Sequence, residues 1–160
     1  MFILVMGVTG SGKTTIGSLL AATLGWPFYD ADDYHSEGNV SKMSSGQPLT
    51  DEDRSPWLQE LSALIAGHAS RGEDGVLACS ALKEPYRRTL SSAGPLTTVY
   101  LKATPGLIDG RMAARPGHYM PKSLIQSQFQ ALEEPDQAVT IPAEWPPERT
   151  VAYVRAVLGV

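Results

Sequence analysis

Short runs of consecutive apolar residues alternate along this chain with longer stretches in which apolar positions recur every three or four residues. The first run, Phe2-Ile3-Leu4-Val5-Met6, has no polar position, the pattern of a strand covered on both faces. Behind it, Ile16, Leu19, Leu20 and Leu24 are spaced i, i+3, i+4 and i+8, which predicts a helix over 13–24 with one face on a sheet and a stop at Gly25. Further strands are predicted at Pro27–Asp30, Val76–Cys79, Thr98–Leu101 and Ala138–Ile141, the last cut short by Pro142. Helices are predicted over 56–70, 85–92, 105–114, 122–133 and 147–158. Pro56 behind Ser55 and Pro105 behind Thr104 read as first-turn prolines following N-cap residues, and Leu58, Leu61, Leu64 and Ile65 supply a buried stripe. Strands and helices in strict alternation generate a parallel sheet with helices on both faces, so the fold class is α/β with five strands.

The polar stretches 36–55 and 115–122 interrupt this rhythm and are expected to be mobile segments over a site. At 160 residues, 42% hydrophobic and 19% charged, the chain is long enough for one sizeable core, and one domain over 1–160 is expected. A formal charge of −4 disfavours nucleic acid and anionic membrane as partners. The single cysteine, Cys79, excludes an intramolecular disulfide framework. No charged leader precedes Lys13 and no apolar stretch reaches membrane-spanning length, so a cytoplasmic protein is expected.

Directly behind the first strand stands Gly7-Val8-Thr9-Gly10-Ser11-Gly12-Lys13-Thr14, a full match to G-x-x-x-x-G-K-[ST]. Glycines at these places let the backbone wrap with its N–H groups inward, and the following helix aims its positive end at the same point, so residues 7–15, Thr15 included, are expected to cradle the phosphates of ATP. Lys13 then reaches the β- and γ-phosphates and the Thr14 hydroxyl reaches Mg²⁺. Ligands in parallel sheets sit beyond the carboxyl ends of strands. The second strand delivers Asp30 and Asp32, which extended alternation would place on one side, Asp30 near Mg²⁺ and Asp32 near an acceptor hydroxyl whose proton it could take. The third strand ends in Ser80, where many P-loop ATPases carry an aspartate for the metal; the magnesium contacts are expected to shift toward Thr14, Asp30 and water.

The stretches 30–35 (Asp-Ala-Asp-Asp-Tyr-His), 39–58, Cys79-Ser-Ala-Leu-Lys83 with Tyr86-Arg87, Val99-Tyr-Leu-Lys102, 111–118 and 127–135 together resemble the gluconokinase family, from residue 3 to about 135. Past Glu134 the match fades, and Ile141-Pro-Ala-Glu-Trp-Pro-Pro147 replaces the family's acidic turn. The resemblance implies a three-layer P-loop kinase fold related to shikimate kinase, with a five-stranded parallel sheet and a small lid over about 111–122. It also implies transfer of the ATP γ-phosphate to the 6-hydroxyl of D-gluconate, and a possible homodimer.

A polyol ending in a carboxylate needs fixed cations at one end and hydroxyl acceptors at the other. Lys42, Arg54, Lys83 and Arg87 are the candidate cations, with Arg54 favoured for its bidentate geometry, and His35 is a further substrate candidate. By the same resemblance Arg111 stacks on adenine, and Arg115 reaches the transferring phosphate on lid closure with Lys13 and Asp32 as its catalytic partners. His118 lies in the lid. Trp57, Met43, Tyr86 and Phe129 read as packing residues. Another small-molecule kinase, for shikimate or a nucleoside monophosphate, is the alternative. A nucleotide-dependent switch without a small acceptor is a third reading, short of the buried acidic residue it would need.

Overall fold

The computed structural model describes residues 1–115 and 121–160. Five strands, β1 (Phe2–Met6), β2 (Phe28–Asp30), β3 (Gly75–Ala78), β4 (Leu96–Lys102) and β5 (Val139–Pro142), form one parallel sheet in the order β2-β3-β1-β4-β5. Seven helices are present among the described residues: α1 (Lys13–Leu24), α2 (Glu37–Ser44), α3 (Asp51–Arg71), α4 (Glu84–Ser91), α5 (Pro105–Ala113), α6 (Lys122–Ala131) and α7 (Pro147–Leu158). None is long and apolar enough to cross a membrane.

The central strand explains the layering. Side chains alternate across a strand, so the wholly buried β1 sends Phe2, Leu4 and Met6 to one face and Ile3 and Val5 to the other. The first group packs with Trp57, Leu58, Leu61 and Ile65 of α3 and with Tyr86 and Leu90 of α4. The second packs with Ile16, Leu20 and Ala21 of α1 and with Val151 and Val154 of α7. A third cluster, Val8, Leu82, Ile108 and Ile125, seats α5 and α6 over the carboxyl ends of the strands. Because β3 and β4 flank β1 and the chain leaves it in both directions, the crevice opens at the end of β1, where the phosphate loop begins.

Several expected boundaries move, each for a physical reason. The second long helix begins at Asp51: the Thr50 side chain accepts from the Asp53 N–H at 3.1 Å while the Asp53 carboxylate accepts from the Thr50 N–H at 2.8 Å. Pro56 therefore lies inside the helix and Ser55 is not its cap. The N–H it lacks would have met the Glu52 carbonyl, on a residue exposed to water. The stretch 36–55, expected to be mobile, is largely helical: Ser36 caps α2 by accepting from the Asn39 N–H at 3.1 Å. Thr104 and Pro105 start α5 as expected, with Thr104 accepting from Leu107 N–H at 3.2 Å. β5 runs on through Pro142, which an edge strand tolerates, and pairing continues as the Ala143 N–H donates to Lys102 at 2.8 Å. Residues 116–120 of the expected lid, His118 among them, lie outside the described residues.

The capping box also accounts for an electrostatic feature. Lys42 donates to Asp53 at 2.6 Å, and this contact, with the Thr50 N–H, holds the Asp53 carboxyl down at about 2. Thr50→Ala removes one half of the box and is expected to cost about 1 kcal/mol, read as a lower urea midpoint with an unchanged slope.

Candidate active site

The phosphate loop is shaped by residues that only glycine suits. Gly10 and Gly12 have φ of 78° and 100°, and a Cβ on Gly10 would stand 2.7 Å from the Met112 side chain. Gly12 caps α1 with no side chain, so the first N–H groups of that helix face the loop's concavity unpaired, which is the arrangement that binds an anion. Lys13 Nζ donates to the Val8 carbonyl at 3.0 Å. Burial pushes its pKa down, opposed chiefly by the charge of Asp32 and also by that of Asp30. Two cavities meet at this loop.

On one side lies a cavity of about 220 Å³ lined by Gly12, Thr15, Arg111, Ala143, Trp145 and Pro147, among others. Arg111 donates to the Gly10 carbonyl at 2.9 Å and to the Ala143 carbonyl at 2.5 Å, tying the phosphate loop to the turn after β5. Arg115 lines the same cavity. The segment 142–147, where the family resemblance fades, thus forms a wall of this space through Pro142, Ala143, Trp145 and Pro147.

The other cavity, about 310 Å³, brings together Thr9, Lys13, Asp32, His35, Arg54 and Gln128. Asp30 and Asp32 do not alternate along an extended strand as expected. Residues Ala31–Tyr34 form a 3-10 turn in which Asp30 Oδ1 accepts from the Asp32 N–H at 3.0 Å, while Asp30 Oδ2 accepts from the Thr14 hydroxyl at 2.7 Å. The turn points Asp32 into the cavity with Lys13. Burial raises the Asp32 pKa, the neighbouring Asp30 charge raises it further, and Lys13 opposes both. A carboxylate displaced upward in this way is a stronger base than an ordinary aspartate. His35 stacks on Trp57 with ring centroids 4.2 Å apart and 15° between planes, and burial lowers its pKa. Trp57 in turn donates from Nε1 to the Ala31 carbonyl at 2.7 Å, which locks the 3-10 turn to α3. It is a packing residue, as expected, and also a wall of the cavity.

Of the four candidate cations only Arg54 lines this cavity. It is held by the Leu49 carbonyl at 2.7 Å and the Tyr86 hydroxyl at 3.2 Å, both through Nη1, and Tyr86 donates to Asp51. Lys42 is committed to Asp53, and Lys83 sits 3.6 Å from Asp51 and 5.8 Å from the centre of the Tyr86 ring. Arg87 is a correction to the sequence expectation. It is 6% exposed, and its guanidinium donates to Glu84 and to the carbonyls of Ala81, Leu82 and Glu133 at 2.7–3.1 Å. With its donors spent on the protein, it pins the loop after β3 to the chain after α6. Sequence reasoning passed over Ser127 and Gln128 of α6 as site residues and weighed Ser80 only as a missing metal ligand; all three line the cavity. Burial pushes the Cys79 thiol up to about 12, so it is no nucleophile.

A phosphate loop, a lysine in it and an acceptor cavity bearing a displaced carboxylate define the class as a P-loop kinase of small molecules. The family model described as "Shikimate kinase" matches residues 9–136. The mouse "Probable gluconokinase" is 48% identical, the match covering 83% of this chain and 82% of the mouse chain. The "Thermosensitive gluconokinase" of Escherichia coli strain K12 is 46% identical over 82% of this chain and 71% of its own. The crystal structure of a gluconokinase from Sinorhizobium meliloti 1021 superposes with a TM-score of 0.86 at 37% identity, covering 98% of this chain and 94% of that one. The chain belongs to the gluconokinase family.

Two outcomes follow from the charges. Arg87→Met leaves three inward carbonyls without their donor and is expected to destabilise the protein by about 2–4 kcal/mol in urea denaturation. Asp32 is raised in the fold above its unfolded value of about 3.9, so its favourable contribution is complete below that pH and lost as pH rises through the folded value. Asp32→Asn should therefore melt above the wild type at neutral pH without ligands, with the two melting curves converging near pH 3.

Proposed function

We propose that this protein transfers the γ-phosphate of ATP to the 6-hydroxyl of D-gluconate, giving 6-phospho-D-gluconate and ADP. The observation that carries the reading is the pairing, within one cavity beside the phosphate loop, of a carboxylate displaced upward with a guanidinium held in place by protein groups. Gluconate has the matching ends: an alcohol to be phosphorylated and a carboxylate to be paired. Asp32 orients the 6-hydroxyl and takes its proton as the oxygen bonds to the γ-phosphorus, while the bond from the γ-phosphorus to the β–γ bridging oxygen breaks and ADP leaves with that electron pair. Lys13 leaves the Val8 carbonyl for the phosphates, where its charge matches the charge that grows in the transition state. Arg54 receives the substrate carboxylate through the N–H groups that its protein contacts leave over, and His35 on its Trp57 platform bounds the chain of hydroxyls.

Arg111 and Arg115 serve the nucleotide side, Arg111 from its bridge between Gly10 and Ala143, and Arg115 as the charge brought to the transferring phosphate. Mg²⁺ fits the donors present: the Thr14 hydroxyl and the Asp30 carboxylate are hard oxygens 2.7 Å apart at the loop, and such an ion usually takes few protein ligands and completes its shell with phosphates and water. When bound it neutralises charge on the β- and γ-phosphates. On this reading the protein works in the cytoplasm, beside its ATP supply.

The test is ADP release with gluconate, shikimate, AMP and glucose as acceptors, with wild type and Arg54→Ala. Gluconate should exceed glucose by more than about tenfold in the wild type, because ring-form glucose leaves the guanidinium without its anion. Arg54→Ala should raise the gluconate KM by about tenfold or more and leave the ATP KM within about twofold. Equal turnover of glucose and gluconate, or preference for shikimate or AMP, overturns the assignment.

A further inference from the structure

One contact joins the acceptor wall to the phosphate loop. The Thr9 N–H donates to Gln128 Oε1 at 2.7 Å, across 119 residues of sequence. Only the amide oxygen can accept from an N–H, so this bond fixes which way the Gln128 amide faces and turns its Nε2, with two donor hydrogens, away from the loop. That nitrogen makes no hydrogen bond with the described residues, and the residue lines the cavity that holds Lys13, Asp32 and Arg54. The bonded N–H belongs to the peptide between Val8 and Thr9, whose carbonyl at the opposite edge receives Lys13 Nζ at 3.0 Å. One peptide plane is thus held between the loop lysine and an α6 side chain.

Resting on the gluconate reading, we propose that Gln128 is an acceptor-binding residue: its Nε2 donates to the hydroxyl adjacent to the one phosphorylated, while its Oε1 registers that contact against the phosphate loop. The location follows from the anchor. Because the amide is tied to Thr9, it belongs to the phosphate end of the cavity, where the reacting alcohol must lie, and not to the Arg54 end, where the carboxylate is held. A free donor there meets an oxygen that every open-chain sugar acid carries next to its terminal alcohol. The distance from that neighbouring hydroxyl to the reacting one is set by one carbon–carbon bond, so holding the first aims the second.

The experiment is a substrate and mutant cycle, with gluconate and 5-deoxygluconate given to wild type, Gln128→Met and, as a second variant of smaller volume, Gln128→Ala. Wild type should favour gluconate by about tenfold in kcat/KM, the order expected for one hydrogen bond whose loss leaves a donor unpaired. In either variant that preference should fall below about twofold, over and above any loss common to both substrates that follows from leaving the Thr9 N–H without its acceptor. A purely structural role would lower kcat/KM for both substrates alike and leave the preference intact, which overturns the inference while the gluconate reading stands. A wild type with no turnover of gluconate overturns both.

Discussion

A half-buried ammonium needs an anion, and the rest of the site is organised around that need in Lys13. Its burial favours the neutral amine, and Asp32, Asp30 and the loop carbonyl of Val8 work against that tendency. Asp32 has the opposite difficulty, since burial and Asp30 both favour its neutral acid. Each charge partly relieves the other. A polyphosphate entering the loop relieves the lysine far better than the aspartate does, and it meets the unpaired N–H groups at the start of α1 on the way. The charge that binds the donor is therefore also the charge that leaves Asp32 a better base.

That arrangement depends on backbone held from outside the loop. Arg111 bridges Gly10 to Ala143, Gln128 holds Thr9, Trp57 holds Ala31, and Arg87 holds the carbonyls at 81, 82 and 133. All but Gln128, whose Oε1 accepts from the Thr9 N–H, are side-chain donors that reach carbonyls in short turns or irregular segments. Such segments lack ladder or helix partners for their polar groups, and burying those groups unpaired would cost more than the bonds themselves contribute. Ala81, the one described non-glycine residue with positive φ, at 44°, sits where Arg87 fixes the turn after β3.

The parts of the structure that were legible in the sequence are those governed by neighbours. The all-apolar run of β1, the i, i+3, i+4 stripe of α1 ending at Gly25, and the Thr104-Pro105 start of α5 are local patterns, and they appear where expected. Two local signals competed at the start of α3: Ser55-Pro56 suggested a start that the reciprocal Thr50 and Asp53 bonds supersede, since they satisfy two orphan donors and the proline satisfies none. The 3-10 turn after β2 was hidden because Asp30 and Asp32 satisfy strand alternation equally well on paper. Arg87 and Gln128 were hidden for a different reason. Arg87 reads as a cation free for a substrate, and Gln128 as part of a solvated face, until the fold brings Glu133 and Thr9 to them, 46 and 119 residues away.

The two cavities divide the work unequally between backbone and side chains, and this bears on how one fold can take different acceptors. The phosphate half is built chiefly from main-chain N–H groups and glycine conformations, set by the loop's own pattern and steadied from outside by Arg111 and Gln128. The acceptor half is built from side chains on the 3-10 turn, α2, α3 and α6, held by long-range contacts to Ala31 and Thr9 and a local one to Leu49. Changing those side chains alters which alcohol is presented without disturbing where the phosphate lies. A match to the shikimate kinase model over 9–136 alongside high identity to gluconokinases is what that division would leave in a sequence: a shared phosphate loop and sheet, with acceptor chemistry that diverges in the segments leaning over the strand ends.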